Sequence, residues 1–430
     1  MSLEDLYEIY RGHPNVVIDS RKVEKGCLFF ALKGANFDGN QFAVDAIEKG
    51  AAYAIIDNRE HKNHDHCILV DDVLKMLQAL ATRHRRSFTC PVIGLTGSNG
   101  KTTTKELIAR VLETKYNVHY TKGNFNNHIG VPLTLLSMHP DTEIAVIEMG
   151  ANHQGEIDFL SRIAEPSHGL ITNIGKAHLE GFGGIEGVKK GKSELYRFLH
   201  ETGGTAFINL DEKFLDDLLP IGTKRIAYSS NPEGTPEFSF KLAKEKPSLE
   251  VAFTGNSADY FEIQSGLTGI YNYANIITAA TLGLYFKIPC VQIKSGIESY
   301  IPDNNRSQIV QKEGYRLILD AYNANPTSML ASLQNFMAMD APNKVAILGE
   351  MLELGESSPA EHEAIALEAQ NANFESLVFV GEGFKSIASA MDLIWFENAA
   401  AVKAWIDNQD LIGKTIFLKG SRGVGLERIF

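Results

Sequence analysis

A glycine-rich segment that follows a short apolar run is the strongest chemical signal in the chain. The apolar run is Val92 to Leu95, and a helical pattern from Lys101 to Thr114 comes after it. The segment contains Gly97, Ser98, Asn99, Gly100, Lys101, Thr102 and Thr103. Backbone amides and the helix dipole at such a turn can hold phosphates, Lys101 can reach the β and γ oxygens, and Thr102 can bind magnesium. The segment therefore predicts a nucleotide site.

This phosphate loop is a short form of the usual pattern. The strict pattern places a glycine five residues before the Gly-Lys pair, and Leu95 stands there in this chain. The motif is thus the TGxxGKT variant. A chance glycine-rich turn is disfavoured by the strand and helix periodicity on its two sides. By itself, however, the loop does not distinguish a kinase, a GTPase-type switch and a ligase.

Two further side chains at strand ends could take part in phosphate chemistry. Glu148 follows the apolar run Ile144 to Ile147, where a buried carboxylate is costly unless it is paired or metal-bound. We interpret Glu148 as a magnesium ligand; the alternative is a salt bridge at a strand end. His178 follows the run Gly169 to Ile174, and a lone histidine in such a place is more often structural than a ligand.

The elements that must position these groups alternate between strand and helix patterns. Tyr271 to Phe286 is predicted to be a helix, and Val251 to Ile263 a local antiparallel insertion. A second series follows Pro302: strands at Leu317 to Leu319, Val345 to Leu348, Leu377 to Val380 and Thr415 to Leu418, with helices from Pro326 and Pro359. Alternation of this kind predicts an α/β fold with parallel sheets of Rossmann type.

The chain length and the positions of two prolines suggest three domains. A chain of 430 residues corresponds to about three domains of ordinary size. Cys90-Pro91 and Pro302 are natural boundaries because proline restricts the residue before it. We expect a small α/β domain at 1–88, a central P-loop ATPase-type parallel sheet at 89–304 and a Rossmann-like domain at 305–430. Hinges for domain closure are expected near 86–91 and 302–308.

Composition excludes several classes of function. The net charge of -12 disfavours nucleic-acid binding, which needs clustered Lys and Arg. No stretch approaches the ~18 apolar residues of a membrane span. Met1 to Arg11 has no apolar core, so we expect no signal peptide. The 4 cysteines lie far apart without a CxxC pair, which favours reduced thiols in the cytoplasm. We expect a cytoplasmic monomer.

Several motifs in a fixed order resemble the Mur ligase family. They are the phosphate loop, KGNFNNHIGVP at 122–132, EMGANHQGEI at 148–157, AHLEGFG at 177–183, DAYNANP at 320–326, LGEMLELGE at 348–356 and KGSR at 419–422. The resemblance runs from about Asp19 to the end of the chain. Within the family it is most similar to the members that add D-alanyl-D-alanine to UDP-N-acetylmuramoyl-tripeptide, and it implies ATP and Mg²⁺ as the cofactors.

The resemblance also implies a role for each domain and a reaction route. The first domain would hold the uridine nucleotide, the second ATP, and the third would close over the site. The γ-phosphoryl of ATP would pass to the substrate carboxylate, and the incoming amine would displace phosphate from the resulting acyl phosphate. Because several anionic groups must meet, catalysis would be largely charge neutralisation and positioning.

Particular residues acquire expected roles only through the resemblance. His178 would bind a second magnesium, and Lys192, as a carbamate, would be a further metal ligand. The alternative for Lys192, which has Lys189 and Lys190 nearby, is a solvated basic helix face. Expected nucleotide contacts are Asn272 and Asn275 at the adenine, Arg306 at the γ-phosphate and Asp320 at the ribose. Asn272 and Asn275 could instead cap a helix or join two helices.

Substrate contacts are expected at three places. They are Ser20 and Arg21 for the uridine side, Asn126 and Asn127 for the muramoyl-peptide, and Ser421 and Arg422 for the dipeptide. Relatives often carry a histidine after the Asp38-Gly39 pair, where this chain has Asn40. A substrate contact at that position is therefore not carried over.

Three rival functions stay open at this point. The ligase that adds diaminopimelate usually carries an Asp-Asn-Pro-Arg motif late in the chain, and this sequence has none. A folylpolyglutamate synthase would not be expected to contain GNFNNHIGVP. Outside the ligases, the rival is an ATP-dependent switch that hydrolyses ATP without a condensation step.

Overall fold

The computed structural model describes residues 1–232, 235–246, 248–254 and 260–430. Its amino-terminal part is a small α/β unit. The helices there are α1 (Leu3–Gly12), α2 (Ala43–Glu48) and α3 (Val73–Arg85). The strands are β1 (Val16–Val17), β2 (Leu28–Phe30), β3 (Lys33–Gly34), β4 (Phe37–Asp38), β5 (Tyr53–Ile56) and β6 (Cys67–Leu69). Within the described ranges, β1, β2, β5 and β6 form a parallel sheet in that order, and β3 pairs with β4 in a hairpin.

The central part contains the largest sheet. Its helices are α4 (Lys101–Glu113), α5 (Gly130–Leu136), α6 (Glu156–Ala164), α7 (Leu179–Phe182), α8 (Ile185–Lys192), α9 (Glu194–Thr202), α10 (Tyr271–Tyr285) and α11 (Cys290–Glu298). Its strands are β7 (Val92–Thr96), β8 (Val118–Tyr120), β9 (Ile144–Glu148), β10 (His168–Ile171), β11 (Thr205–Asn209), β12 (Lys224–Ser229), β13 (Phe238–Lys244), β14 (Glu250–Phe253) and β15 (Phe261–Gln264).

The order in this sheet is β15-β14-β13-β12-β11-β10-β7-β9-β8 for the part of the chain that the structure describes. Strands β7 to β13 are all parallel to their neighbours in this order, except that β13 pairs antiparallel with β14. Strand β14 also pairs antiparallel with β15. The predicted antiparallel insertion is therefore confirmed for its described strands, and residues 255–259 of that stretch lie outside the described residues. Leu107 of α4 packs on one face of the sheet and Leu160 of α6 on the other.

The carboxy-terminal part is a second doubly wound unit. It contains α12 (Pro326–Ala338), α13 (Ser358–Gln370), α14 (Glu382–Ala390) and α15 (Ala399–Ile406), with β16 (Gln308–Gln311), β17 (Arg316–Asp320), β18 (Lys344–Gly349), β19 (Ser376–Val380), β20 (Ile394–Phe396) and β21 (Thr415–Lys419). Its strand order is β16-β17-β21-β18-β19-β20 among the described residues, parallel apart from β16. The predicted α/β class with a P-loop sheet and a Rossmann-like unit is confirmed.

The amino-terminal unit is firmly attached to the central one. Leu77 of α3 shares a buried cluster with Val131 of α5 and Leu160 of α6. At the end of α3, the buried Arg85 donates hydrogen bonds to the carbonyls of Ala164 (3.0 Å) and Glu165 (3.1 Å). These contacts oppose motion at 86–91, so the first of the two expected hinges is not favoured by the structure.

Candidate active site

The order of three central strands brings the chemical groups together. Strand β7 leads into the phosphate loop, and β9 and β10 lie on its two sides. Leu95 is paired with Glu148 in β9, and Thr96 with Ile171 in β10. Because the carboxyl ends of neighbouring parallel strands share one sheet edge, the loop, Glu148 and the residues after β10 must lie side by side.

Two glycines allow the phosphate loop to adopt its shape. Gly97 has φ +144°, and a Cβ there would lie 2.0 Å from Oγ1 of Thr172. Gly100 has φ +77°, immediately before the first residue of α4. The Lys101 ammonium folds back over the loop and donates to the carbonyls of Gly97 (2.7 Å) and Ser98 (3.1 Å). Free amides at the start of α4 and this ammonium provide the positive side of an anion site.

The residues that follow β10 hold the loop in place. The amide of Asn99 donates to Oδ1 of Asn173 at 2.9 Å, and Oγ1 of Thr172 donates to the carbonyl of Asn99 at 2.6 Å. Ser98 exchanges hydrogen bonds with Gly175 through its hydroxyl. Two of the predicted loop residues, Ser98 and Asn99, are thus held before any ligand binds, which lowers the cost of ordering them.

Glu148 is buried and faces the start of α4. It is 1% exposed, and its carboxylate accepts hydrogen bonds from Oγ1 of Thr102 (3.0 Å) and Nδ2 of Asn126 (2.8 Å). A carboxylate and a hydroxyl at hydrogen-bonding distance are the hard oxygen donors that Mg²⁺ prefers, usually together with water and phosphate oxygens. No group of three or more His, Cys, Asp and Glu residues suited to a metal occurs in the described ranges. The pair Thr102 and Glu148 therefore fits magnesium with an incomplete protein shell.

A cavity of about 840 Å³ opens between this edge and the carboxy-terminal unit. The lining residues with an expected role are Ser98, Asn99, Gly100, Lys101, Thr102, Thr103, Asn126, Asn127, Glu148, His178, Asn272, Asn275, Arg306 and Asp320. Two neighbouring carboxylates also line it, the exposed Asp211 and the half-buried Glu212. Burial raises the pKa of Glu212 to about 7, with Asp211 adding to the effect.

His178 meets the carboxy-terminal unit directly. Its Nδ1 contacts a carboxylate oxygen of Glu353, and both residues have left-handed backbone conformations, with φ 52° and 63°. Such conformations are costly for residues other than glycine and persist only when their surroundings hold them. The contact leaves Nε2 as the ring nitrogen available to another partner. The expected role of His178 as a metal ligand remains a prediction.

Lys192 is a buried amine behind the loop. It is 1% exposed and donates a hydrogen bond of 3.1 Å to the carbonyl of Ala151. Burial, followed by the nearby Lys101 charge, lowers the pKa of Lys192 well below its ordinary value. On the same helix, Lys189 pairs with Glu186 and Lys190 is exposed. The environment of Lys192 therefore favours the neutral amine that carbamylation requires.

Asn272 and Asn275 take part in contacts within the protein. Nδ2 of Asn275 donates to Oδ1 of Asn272 (2.9 Å), and Oδ1 of Asn275 accepts from Thr104 of α4 (2.9 Å). Asn272 also donates to the carbonyl of Thr268 at 2.8 Å. The interhelical alternative considered from the sequence thus describes the observed geometry. An adenine contact would require these amides to exchange partners.

Asp320 is paired in the carboxy-terminal wall. Its carboxylate accepts from Nζ of Lys419 (2.7 Å), Oγ of Ser332 (2.6 Å) and the amide of Ser307 (3.2 Å). Although burial opposes ionisation, the Lys419 charge and these hydrogen bonds lower the pKa of Asp320 below its usual value. A ribose contact would compete with these partners. Lys419 belongs to the KGSR motif, but the sequence assigned it no role of its own.

Arg306 and Arg422 both approach the ring of Tyr322. The guanidinium carbon lies 3.5 Å from the ring centroid for Arg306 and 5.2 Å for Arg422. Arg422 also donates to the Tyr322 hydroxyl at 3.2 Å. The neighbouring Ser421 is 3% exposed, and its hydroxyl accepts from the amide of Leu352 at 2.9 Å. Ser421 and Arg422 lie outside the cavity lining, so their dipeptide role stays a prediction.

Of the other expected substrate contacts, some line the cavity and some do not. Asn126 and Asn127 line the cavity, but Asn127 accepts from the amides of Ile129 and Gly130 at the start of α5. Ser20 and Arg21 belong to the amino-terminal unit, where Arg21 pairs with Asp19 at 2.9 Å. They do not line the central cavity.

Asn40 has a structural role. It is 1% exposed and exchanges hydrogen bonds with Asp57, donating from Nδ2 at 2.9 Å and accepting from the amide at 3.0 Å. Its side chain supports a turn.

A phosphate loop on a parallel sheet, facing a Rossmann-like unit across one cavity, defines a nucleotide-dependent class of protein. Three family models match the chain: "Mur ligase family, catalytic domain" at 14–85, "Mur ligase middle domain" at 95–283 and "Mur ligase, glutamate ligase domain" at 305–422. Together the three matches follow the order of the sheets described above. The chain belongs to the Mur ligase family.

Individual relatives are similar over nearly the whole chain. It is 36% identical to the UDP-N-acetylmuramoyl-tripeptide--D-alanyl-D-alanine ligase of Bacillus subtilis, with 96% of this chain and 92% of that protein covered. The Escherichia coli protein of the same name is 34% identical with the same coverage. A crystal structure of MurF from Acinetobacter baumannii superposes with a TM-score of 0.86 at 28% identity, covering 100% and 97% of the two chains. The MurF ligase of Thermotoga maritima in complex with ADP gives 0.82 at 28% identity and 96% coverage of both.

Proposed function

We propose that this chain is an ATP-dependent ligase that joins D-alanyl-D-alanine to UDP-N-acetylmuramoyl-tripeptide for peptidoglycan synthesis. The observation that carries the proposal is the cavity in which Lys101, Thr102 and Glu148 face the carboxy-terminal unit. A terminal phosphate held by the loop would lie where two substrates can reach it. The names of the two relatives state this pair of substrates, and each relative aligns with 96% of the chain.

The geometry supports transfer through an acyl phosphate. The substrate carboxylate attacks the γ-phosphorus of ATP, and ADP leaves. The amine of D-alanyl-D-alanine then attacks the acyl carbon, phosphate leaves with one former carboxylate oxygen, and the amine gives up a proton. The products are ADP, phosphate and UDP-N-acetylmuramoyl-pentapeptide. Each step gathers negative charge that the site must neutralise.

Particular residues would bind the phosphates, the metal and the substrates. Lys101 and the amides that begin α4 would hold the β and γ phosphates, and Arg306 would approach the γ-phosphate from the linker between domains. Thr102 and Glu148 would hold Mg²⁺, with His178 and carbamylated Lys192 as the further expected ligands. Bound magnesium supplies charge neutralisation for the phosphates. Ser20 and Arg21 would serve the uridine, and Ser421 and Arg422 the dipeptide.

We place the reaction in the cytoplasm, because ATP and nucleotide-linked sugars are made and used there. No helix in the described part of the chain is both long and apolar enough to cross a bilayer. We expect one copy of the chain to contain the complete site, since every residue with a proposed role lies on it. Cell fractionation and analytical ultracentrifugation test these two statements.

An ADP-release assay tests the function. We expect rapid release only when UDP-N-acetylmuramoyl-tripeptide, D-alanyl-D-alanine and Mg²⁺ are all present, with a product whose mass is that of the pentapeptide. Tripeptides with diaminopimelate or lysine at position three would show which donor is preferred. ATP hydrolysis at the same rate with and without the two substrates would instead identify a switch. Turnover with a free amino acid in place of the dipeptide would identify a different ligase.

A further inference from the structure

A fully buried lysine beside the phosphate loop has no hydrogen-bond partner among the described residues. Lys105 lies one turn after Lys101 on α4 and is 0% exposed. Its Nζ is 3.8 Å from Oε2 of Glu148 and 3.6 Å from Oε1 of Glu106. A buried ammonium is strongly unfavourable unless charges of opposite sign surround it. Lys105 therefore joins the expected metal carboxylate to a second carboxylate that no part of the mechanism uses.

That second carboxylate makes long-range contacts. Oε2 of Glu106 accepts hydrogen bonds from the hydroxyl of Tyr300 (2.8 Å) and from Nδ2 of Asn304 (3.0 Å). These partners are 194 and 198 residues away in the sequence. Tyr300 is 5% exposed and follows α11, and Asn304 belongs to the linker that leads to the carboxy-terminal unit. Glu106 thus connects the phosphate-loop helix to the interdomain linker.

The linker has an unusual backbone at this point. Asn305 and Ser307 have φ values of 57° and 50°, and Arg306 lies between them. Two left-handed residues this close together are costly and need external support. On the carboxy-terminal side, the amide of Ser307 donates to Asp320 at 3.2 Å. On the central side, support comes from Glu106 through Asn304 and from Tyr271 of α10, whose hydroxyl lies 2.8 Å from Oγ of Ser307.

We propose that Glu106 is a positioning residue that fixes the interdomain linker on α4 and so places Arg306 at the nucleotide, with Lys105 joining this contact to Glu148. The role of Arg306 in this inference rests on the proposed function; the Glu106 contact itself does not. Loss of Glu106 should leave the loop able to bind ADP, because Lys101 and the loop amides are untouched. It should slow the step that needs Arg306 in place.

Four variants separate this role from a merely structural one. Glu106→Ala removes the acceptor, Asn304→Ala removes the linker side of the contact without altering α4, and Glu106→Gln retains an acceptor oxygen. Glu113→Gln is the matched control, since Glu113 ends the same helix and pairs only with Arg110 at 3.8 Å among the described residues. We expect kcat to fall about tenfold to a hundredfold in both alanine variants.

The pattern of effects is more informative than any one value. ADP affinity should stay close to that of the wild type, Glu106→Gln should recover most of the lost rate, and the control should behave like the wild type. The double variant Glu106→Ala, Asn304→Ala should be no slower than the worse single variant, because the two changes remove one contact. Additive losses, or a loss of ADP affinity with kcat unchanged, would overturn the proposal.

Amide hydrogen exchange in the linker tests whether Glu106 holds it, and this measurement does not require the ligation reaction. Amides in 300–308 should exchange faster in Glu106→Ala and Asn304→Ala than in the wild type and the Glu113→Gln control, with ADP and Mg²⁺ bound. Unchanged exchange in both alanine variants would show that Glu106 does not hold the linker. A wild type that fails to ligate would reject the proposed function and leave this measurement valid.

Discussion

Nδ2 of Asn325 donates a hydrogen bond of 2.7 Å to Oδ1 of Asn99, which joins the first turn of α12 to the phosphate loop. Nearby, the Lys176 amide donates to Oγ1 of Thr327 at 3.1 Å, and His178 contacts Glu353. The carboxy-terminal unit therefore lies directly on the nucleotide side of the central sheet.

Domain closure follows from this arrangement. We expect the carboxy-terminal unit to move about the linker at 302–308, while α3 keeps the amino-terminal unit attached. Small-angle scattering should give a smaller radius of gyration with an ATP analogue and UDP-N-acetylmuramoyl-tripeptide together than for the free protein. Each ligand alone is the control. An unchanged radius with both ligands would contradict closure.

Lys101 should be indispensable for turnover. Lys101→Ala removes the loop side chain that can offset charge on the transferring phosphoryl, and losing such a donor typically lowers the rate by about a hundredfold or more. The fold should survive, because among the described residues the ammonium donates hydrogen bonds only to loop carbonyls. The thermal midpoint and initial rate should be measured together. Lys115→Ala, just beyond the far end of α4, is the control. A folded Lys101→Ala protein with normal ligation would remove the mechanism.

The carbamylation of Lys192 should depend on dissolved carbon dioxide. The neutral amine of Lys192 attacks CO₂ to form an N–C bond and loses one proton, so a neutral amine becomes an anionic carbamate. Lys192→Ala should lose most activity, and acetate could restore part of it by occupying the vacated space. Lys190→Ala, on the exposed face of the same helix, should change little. Wild-type rates in Lys192→Ala, or bare amine density at Lys192 with magnesium and nucleotide bound, would refute the metal assignment.

Glu212 should make stability depend on pH. Its pKa of about 7 lies above the ordinary value of 4.5, so the folded state holds a proton that the unfolded state has lost between these values. The folded state is thus penalised increasingly as pH rises from about 4.5 to 7. Glu212→Gln should raise the unfolding midpoint relative to the wild type at pH 8 and not at pH 4.

Chemical denaturation at the two pH values measures this difference. The exposed Glu363→Gln is the control, and it should show the same pH dependence as the wild type. Equal gains for Glu212→Gln at both pH values would mean that its effect comes from packing rather than from ionisation.

Much of the architecture could be predicted because strand and helix periodicities are local. The helix predicted from Lys101 to Thr114 is present as α4, with Leu107 and Val111 buried, and Glu148 lies at a strand end beside the loop. The sequence did not reveal α1, the pairing partners of Asn275 or the contacts of Glu106. Those features depend on which distant segments meet, and no spacing within one segment specifies that.

The central claim is that the donor carboxylate is activated by phosphoryl transfer. The direct measurement uses UDP-N-acetylmuramoyl-tripeptide whose reacting carboxylate carries ¹⁸O, with ATP, Mg²⁺ and D-alanyl-D-alanine, and determines the isotope content of the released phosphate by mass spectrometry. The account predicts that each turnover transfers a single ¹⁸O atom to phosphate, while the other remains in the new amide carbonyl. Phosphate without the label, released as fast as the pentapeptide forms, would contradict an acyl-phosphate route.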